Sequence, residues 1–255
     1  MFSKQRLLPA FKAASIHFFG SLIVAAASAI FVFGLWFPYP YREVSGGREL
    51  FLLVIAVDVV CGPLLTMVLF NTAKQRAELW RDLGFVALIQ LVALGYGLNT
   101  VWQVRPLFLV QETDRFKVIA LKDITSRSLS ALPAGLQPSW LSGPTTVAIR
   151  EPKDSVERQK VMLESIQGGR DYAERPEFYL PYVGDDALKS LKRSKLIEPF
   201  LQKYPEQRTK AEALAKEGGA VLLDWRFLPV VGHQDWIALL DRQGQIQGFL
   251  KGDGF

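Results

Sequence analysis

Asp58 is the one acid inside a long apolar run, Leu50 to Asn71, and Gly62-Pro63 and Thr66 follow it. Positions 58, 62 and 66 recur at four-residue steps, so on a helix they share one face. A carboxylate set among apolar side chains has three chemical uses. It can pass a proton or an ion, act as one of a pair of acids in proteolysis, or bond to a neighbouring helix. Proteolysis needs a second acid in the same setting, and the other apolar runs of the chain contain none. A relay is disfavoured by the same absence, and because three helices enclose a pathway poorly. Helix-to-helix contact is the use that remains.

Pro63 has no N–H and clashes with the carbonyl of Val59, so a kink is expected there. The lone cysteine, Cys61, excludes an intramolecular disulfide and a cysteine metal site. In an apolar setting it is a small packing residue rather than a reactive thiol. Counting depth at a common rise from the inner helix ends puts Asp58 level with Ser28 and Tyr96. Gln90 lies below that layer with Ser21, and His17 lies nearer the helix start. Asp58, Gly62, Pro63, Thr66, Ser28, Tyr96, Gln90 and His17 are therefore the expected polar face. The face either packs the chain's own helices together or receives a helix of a partner.

The elements that position this face are long. Crossing a hydrocarbon core about 30 Å thick takes roughly 20 mostly apolar residues. Three windows qualify: Ala14 to Trp36, Leu50 to Asn71 and Leu83 to Trp102. Short connections make consecutive helices antiparallel neighbours. Lys4, Arg6 and Lys12 before the first window, and Lys74, Arg76 and Arg81 in the second connection, outweigh Arg42 and Arg48 in the first connection. The positive-inside bias then puts the N-terminus in the cytoplasm and everything after Trp102 on the far side. Trp36, Phe37, Tyr39 and Tyr41 read as an aromatic belt, and Pro38-Tyr39-Pro40-Tyr41 as a non-helical outer turn. Ala27-Ser28-Ala29 resembles a signal-peptide cleavage site, but apolar residues continue through Phe37, which favours a retained helix.

The expected domains are thus residues 1–13 as a cytoplasmic tail, 14–102 as a three-helix transmembrane module and 103–255 as a periplasmic α+β domain. The net charge is +5 over 255 residues, yet residues 103–255 hold 22 Lys or Arg against 20 Asp or Glu. Much of the excess therefore sits beside the membrane and reads as topology rather than a nucleic-acid surface.

In the polar half, Leu107 to Val110 and Phe116 to Leu121 read as a hairpin, and Ser126 to Pro144 as a loop. Ser155 to Ile166 reads as an amphipathic helix that buries Val156, Met162, Leu163 and Ile166. Glu177 to Tyr182 is a short extended segment, and helix runs from Asp185 to about Gly218 with breaks near Pro199 and Pro205. Strand returns at Ala220 to Val231, Trp236 to Leu240 and Ile246 to Leu250, the last two forming a hairpin around Asp241 to Gly244. Strands at both ends of the domain are expected to share one sheet. Lys189, Lys192, Arg193 and Lys195 read as a solvated helix face. Trp225 and Trp236 read as core before interface, as does Phe255. No phosphate loop, HExxH or Gly-x-Ser-x-Gly is present, and His233 near Asp235 is loop structure rather than a catalytic pair. No catalytic residue, cofactor or metal is expected.

Several motifs together resemble the TfpX/TfpZ family of type IV pilin accessory proteins. They are Val57-Asp58-Val59-Val60 leading into Gly62-Pro63-Leu64-Leu65-Thr66; Tyr96-Gly97-Leu98 with Arg105-Pro106; Asp114-Arg115-Phe116; Arg175-Pro176-Glu177-Phe178-Tyr179; and Asp235-Trp236 through Asp241, Gly248-Phe249-Leu250 and Asp253-Gly254-Phe255. The resemblance spans nearly the whole chain. It implies a multi-pass protein of the bacterial inner membrane that assists type IV pilin subunits, and it supplies no catalytic residue. The expected function is a non-enzymatic, chaperone-like factor whose partners are the lipid bilayer and the transmembrane helix and head of a pilin. The alternative is a membrane-anchored sensor or transporter-associated subunit that binds a ligand through its exported domain.

Overall fold

The structure is a computed structural model that describes residues 4–130 and 132–255. Residues 1–3 of the expected tail, and residue 131 of the expected loop, lie outside the described residues. The chain divides into two units. One comprises the chain up to Leu35 with Gly47–Gln103, and the other Trp36–Gly46 with Val104–Phe255.

Three helices make the first unit. Helix α1 (Lys4–Phe31) ends in a π-turn, Val32–Trp36. After the short helix α2 (Tyr41–Val44), which belongs to the second unit, come α3 (Gly47–Leu69) and α4 (Arg76–Gln103). All three long helices have the length and composition to cross a membrane. They outrun the apolar windows because the helix continues into charged flanks, such as Arg76 to Asp82 at the start of α4. Helix α3 is central and packs against both α1 and α4. Pro63 lies inside α3.

In the second unit the strands are β1 (Pro106–Gln111), β2 (Phe116–Ala120), β3 (Thr145–Ile149), β4 (Tyr179–Pro181), β5 (Lys195–Leu196), β6 (Arg226–Val231), β7 (Trp236–Leu240) and β8 (Ile246–Lys251). Between them lie α5 (Ser126–Ser130), α6 (Ser155–Ile166), α7 (Asp185–Leu191), α8 (Ile197–Lys203) and α9 (Arg208–Glu217). The strands form one mixed sheet in the order β4-β3-β1-β2-β6-β7-β8, with β5 paired to β6. The expected hairpins β1–β2 and β7–β8 are both antiparallel, and strands from both ends of the domain share the sheet through the parallel pair β2–β6.

Successive side chains on a strand point to opposite faces, and this sheet buries both. Trp236, Ala238 and Leu240 of β7 join Leu109, Phe116 and Leu228 on one face. Ile237 and Leu239 face the other, under Phe200 and Leu201 of α8 and Ala211 and Ala215 of α9. At the β1–β3 end of that second face, Phe108, Val110 and Val147 pack with Ile124, Leu132 and Leu136. Trp225 and Trp236 are core residues, at 1% and 2% exposure, while Phe255 is exposed.

Helix α6 corrects the expected pattern. Its buried residue is Val161, whereas Val156, Met162, Leu163 and Ile166 are exposed. The helix is set by its polar ends instead of an apolar stripe. Asp154 caps it by accepting from Glu157 N at 2.8 Å, Glu157 pairs with Arg150 at 2.8 Å, and Glu164 accepts from Arg175 Nη2 at 2.6 Å. The Arg150 pair holds the Glu157 carboxyl down at about 2.

Arg175 is itself buried and also donates through Nε and Nη2 to Arg170 O at 3.1 and 2.9 Å. Truncation removes both of these bonds and leaves Arg170 O with Ser165 Oγ at 3.2 Å, and a lost bond to a charged group in such a setting costs about 2 kcal/mol. Arg175→Ala is therefore expected to lower the urea midpoint of the second unit, followed by near-ultraviolet circular dichroism. An unchanged midpoint would remove Arg175 from the structural frame.

Candidate functional site

The residues of the expected polar face divide into a paired set and a remainder. His17 Nδ1 of α1 and Thr66 Oγ1 of α3 lie 2.6 Å apart, with Thr66 buried. Gln90 of α4 donates from Nε2 to the backbone oxygen of Asp58 at 3.1 Å. That carbonyl sits next to the one that Pro63 deprives of its partner, at Val59.

Glycine makes the approach possible at two places. A Cβ on Gly62 would lie 1.8 Å from Gln90 Nε2, and one on Gly97 would lie 2.3 Å from Val54 Cγ1. Both contacts hold α4 close against α3, as small residues do where helices pack without a hydrophobic driving force.

These pairings fix the helix register. With His17 opposite Thr66, eight residues back along α3 to Asp58 correspond to eight forward along α1, to Ala25. Ser28 is about one turn farther on. The same count from Gly97 and Val54 places Tyr96 about one turn from Asp58. Tyr96 is 76% exposed and Ser28 half-buried, and among the described residues neither bonds to Asp58. Asp58 is half-buried. The Asp58 carboxylate accepts no hydrogen bond among the described residues. Thus His17, Thr66, Gly62 and Gln90 bind the three helices to one another, while Asp58 keeps an acceptor to offer. Cys61 is exposed.

One feature of the second unit was not visible in the sequence. Residues 36–46 are docked on the sheet. Tyr41 and Val44 are buried in the same cluster as Leu109 and Trp236, and the Tyr41 ring meets Phe249 edge-on at 5.9 Å. Tyr39, in the outer turn, packs edge-on against Trp236 at 5.9 Å, with Lys210 over its ring at 4.8 Å and hydrogen-bonded to its hydroxyl. Pro38 to Pro40 are non-helical as expected, but Tyr41 opens α2. His233 has a holding role: its N–H donates to Val44 O at 2.5 Å. Asp235 O accepts from Gly252 N, so the His233 to Asp235 stretch is framework. Among the described residues no cluster of His, Cys, Asp and Glu is placed to hold a metal.

The family model described as "Fimbrial assembly protein FimB" matches residues 5–46, a segment that runs from α1 through α2. Over 258 aligned residues, covering 99% of each chain, the sequence is 34% identical to "Fimbrial assembly protein, serogroup I" of Dichelobacter nodosus. It is 32% identical, with the same coverage, to the serogroup E1 protein of that organism. With the protein of serogroups C1 and C2 it shares 41% identity over 122 residues, 48% of this chain and 93% of the other. No solved structure matches.

Proposed function

Because the chain belongs to the family of fimbrial assembly proteins, we propose that it is a non-enzymatic, chaperone-like accessory factor of the TfpX/TfpZ kind, serving type IV pilin subunits at the bacterial inner membrane. The full-length similarity to proteins named for fimbrial assembly carries this reading. In it α1, α3 and α4 span the membrane with the N-terminus in the cytoplasm, and the sheet domain lies in the periplasm. The basic residues Lys4, Arg6 and Lys12, and Lys74, Arg76 and Arg81 between α3 and α4, support that orientation. The partners are the bilayer and a pilin, which contributes its own transmembrane helix and its head.

Asp58 is the contact point for the pilin helix. A carboxylate in the central helix costs about 2.5–3.5 kcal/mol to insert, so its retention without a hydrogen-bonded partner calls for an external one. Of the other polar residues of the face, His17, Thr66 and Gln90 pack the chain's own helices. An exported sheet domain with α6 presenting Val156, Leu163 and Ile166 at its surface suits contact with the pilin head.

Asp58→Asn keeps shape and removes charge. In cells it is expected to leave the protein at its normal level while surface pili, scored by shearing and immunoblot, fall several-fold. Normal piliation at normal protein level would reduce Asp58 to packing.

A further inference from the structure

Residues 139–142 form a turn closed on itself: Ser139 N donates to Ser142 Oγ at 2.9 Å, Leu141 N to Ser139 Oγ at 3.2 Å, and Ser142 Oγ to Ser139 O at 3.0 Å. Its tip presents two large apolar residues to the surroundings, Trp140 at 60% and Leu141 at 48% exposure. Two side chains of the same unit grip this turn. Trp36 Nε1 donates to Trp140 O at 2.9 Å, and the buried Arg105 donates to Trp140 O at 3.3 Å and Ser139 O at 2.9 Å.

The identity of those donors locates the turn. Trp36 is the last residue of the first apolar helix segment, and Arg105 comes two residues after the end of α4. Sheet topology gives the same answer independently. The turn leads into β3, which is parallel to β1, with Phe108 beside Thr145, so both strands start at one end of the sheet. That end is where the chain emerges from α4.

We propose that Trp140 and Leu141 insert into the headgroup and upper acyl region of the outer leaflet, as an anchor of the sheet domain on the lipid surface. This rests on the reading that α1, α3 and α4 cross the membrane. An indole beside a leucine, in a turn held by two side chains that lie within two residues of an apolar helix's end along the chain, has the amphipathic character that settles at a bilayer interface. The bound Arg105 completes the arrangement by fixing the turn, so insertion costs little ordering.

The test uses the full chain with Cys61→Ala, reconstituted in phosphatidylethanolamine–phosphatidylglycerol vesicles. A polarity-sensitive fluorophore is placed at Leu141→Cys, at Val92→Cys within α4, or at Gln243→Cys. Gln243 lies at the end of β7 opposite Trp236, which meets Tyr39. Lipids carrying a nitroxide near the headgroup or deep in the acyl chain serve as quenchers. The proposal expects the Leu141 label to be blue-shifted against the Gln243 label and quenched several-fold more by the shallow nitroxide. Trp140→Cys carries the same expectation if Leu141→Cys fails to fold. A Leu141 label that matches the Gln243 label, or is blue-shifted without quenching, overturns the anchor while a quenched Val92 label leaves the spanning helices standing. A Val92 label that no lipid quencher reaches overturns the spanning reading, and the anchor with it.

Discussion

Gly97→Leu is expected to remove most of the folded protein, read as a several-fold drop in detergent-extracted, monodisperse material. Even a single added carbon at Gly97 would sit 2.3 Å from Val54 Cγ1, 3.0 Å from Cγ2 and 3.2 Å from Cβ. Valine is branched at Cβ and stiff about χ1, so it cannot swing aside. The two helices must separate, which would also pull Gln90 from the Asp58 carbonyl, now 3.1 Å away. Overpacking by a methyl alone costs about 1–3 kcal/mol. Gly97→Ala is thus expected to lower the melting temperature, and adding Val54→Ala to restore much of it. A Gly97→Leu chain as stable as the parent would mean that α3 and α4 do not touch there.

The second large effect is expected in the segment between the first two apolar helices. Tyr41→Ala removes a buried ring that packs on Phe249 within the sheet's own core, and large-to-small changes of aromatic residues there cost about 3 kcal/mol or more. The sheet domain should melt earlier, and limited proteolysis should cut within residues 36–46, which are expected to resist it in the parent. Tyr39→Ala, at a half-exposed ring, should have a far smaller effect. Equal protease resistance in Tyr41→Ala and parent would show that residues 36–46 are not part of the sheet domain's core.

Tyr41 illustrates where sequence reading stops. Aromatic residues beside prolines after an apolar run have the composition of an interfacial belt, and nothing local separates that from a segment buried against a sheet some two hundred residues later. Long apolar runs gave the three helices directly, because length and composition alone decide them. The hairpin turns at Glu112 to Arg115 and Asp241 to Gly244 were likewise legible, since turn chemistry is local. The parallel pairing of β2 with β6 was not, because its partners, Phe116 and Val230, are far apart in the chain. In α6 the apolar pattern misled: Asp154, Arg150 and Arg175 fix the helix through charged contacts, and these leave Val161 inside and Leu163 outside.

The polar face divides in the same way. Depth counting put Asp58 level with Ser28 and Tyr96, with Gln90 below that layer, but it assumed equal inner ends for all three helices. The register set by His17 with Thr66 and by Gly97 with Val54 moves Ser28 and Tyr96 about one turn away from Asp58. No sequence signal could have found that offset, because helices that extend past their apolar windows hide where the count should begin.

The most direct measurement is site-specific photo-crosslinking in intact cells that express the cognate pilin, with the photoreactive residue at position 58 of α3. The account predicts a covalent adduct with the pilin's transmembrane segment, identified by mass spectrometry, and none from the exposed position 92 of α4. Pilin captured equally from both positions, or from neither in cells that assemble pili, would contradict it.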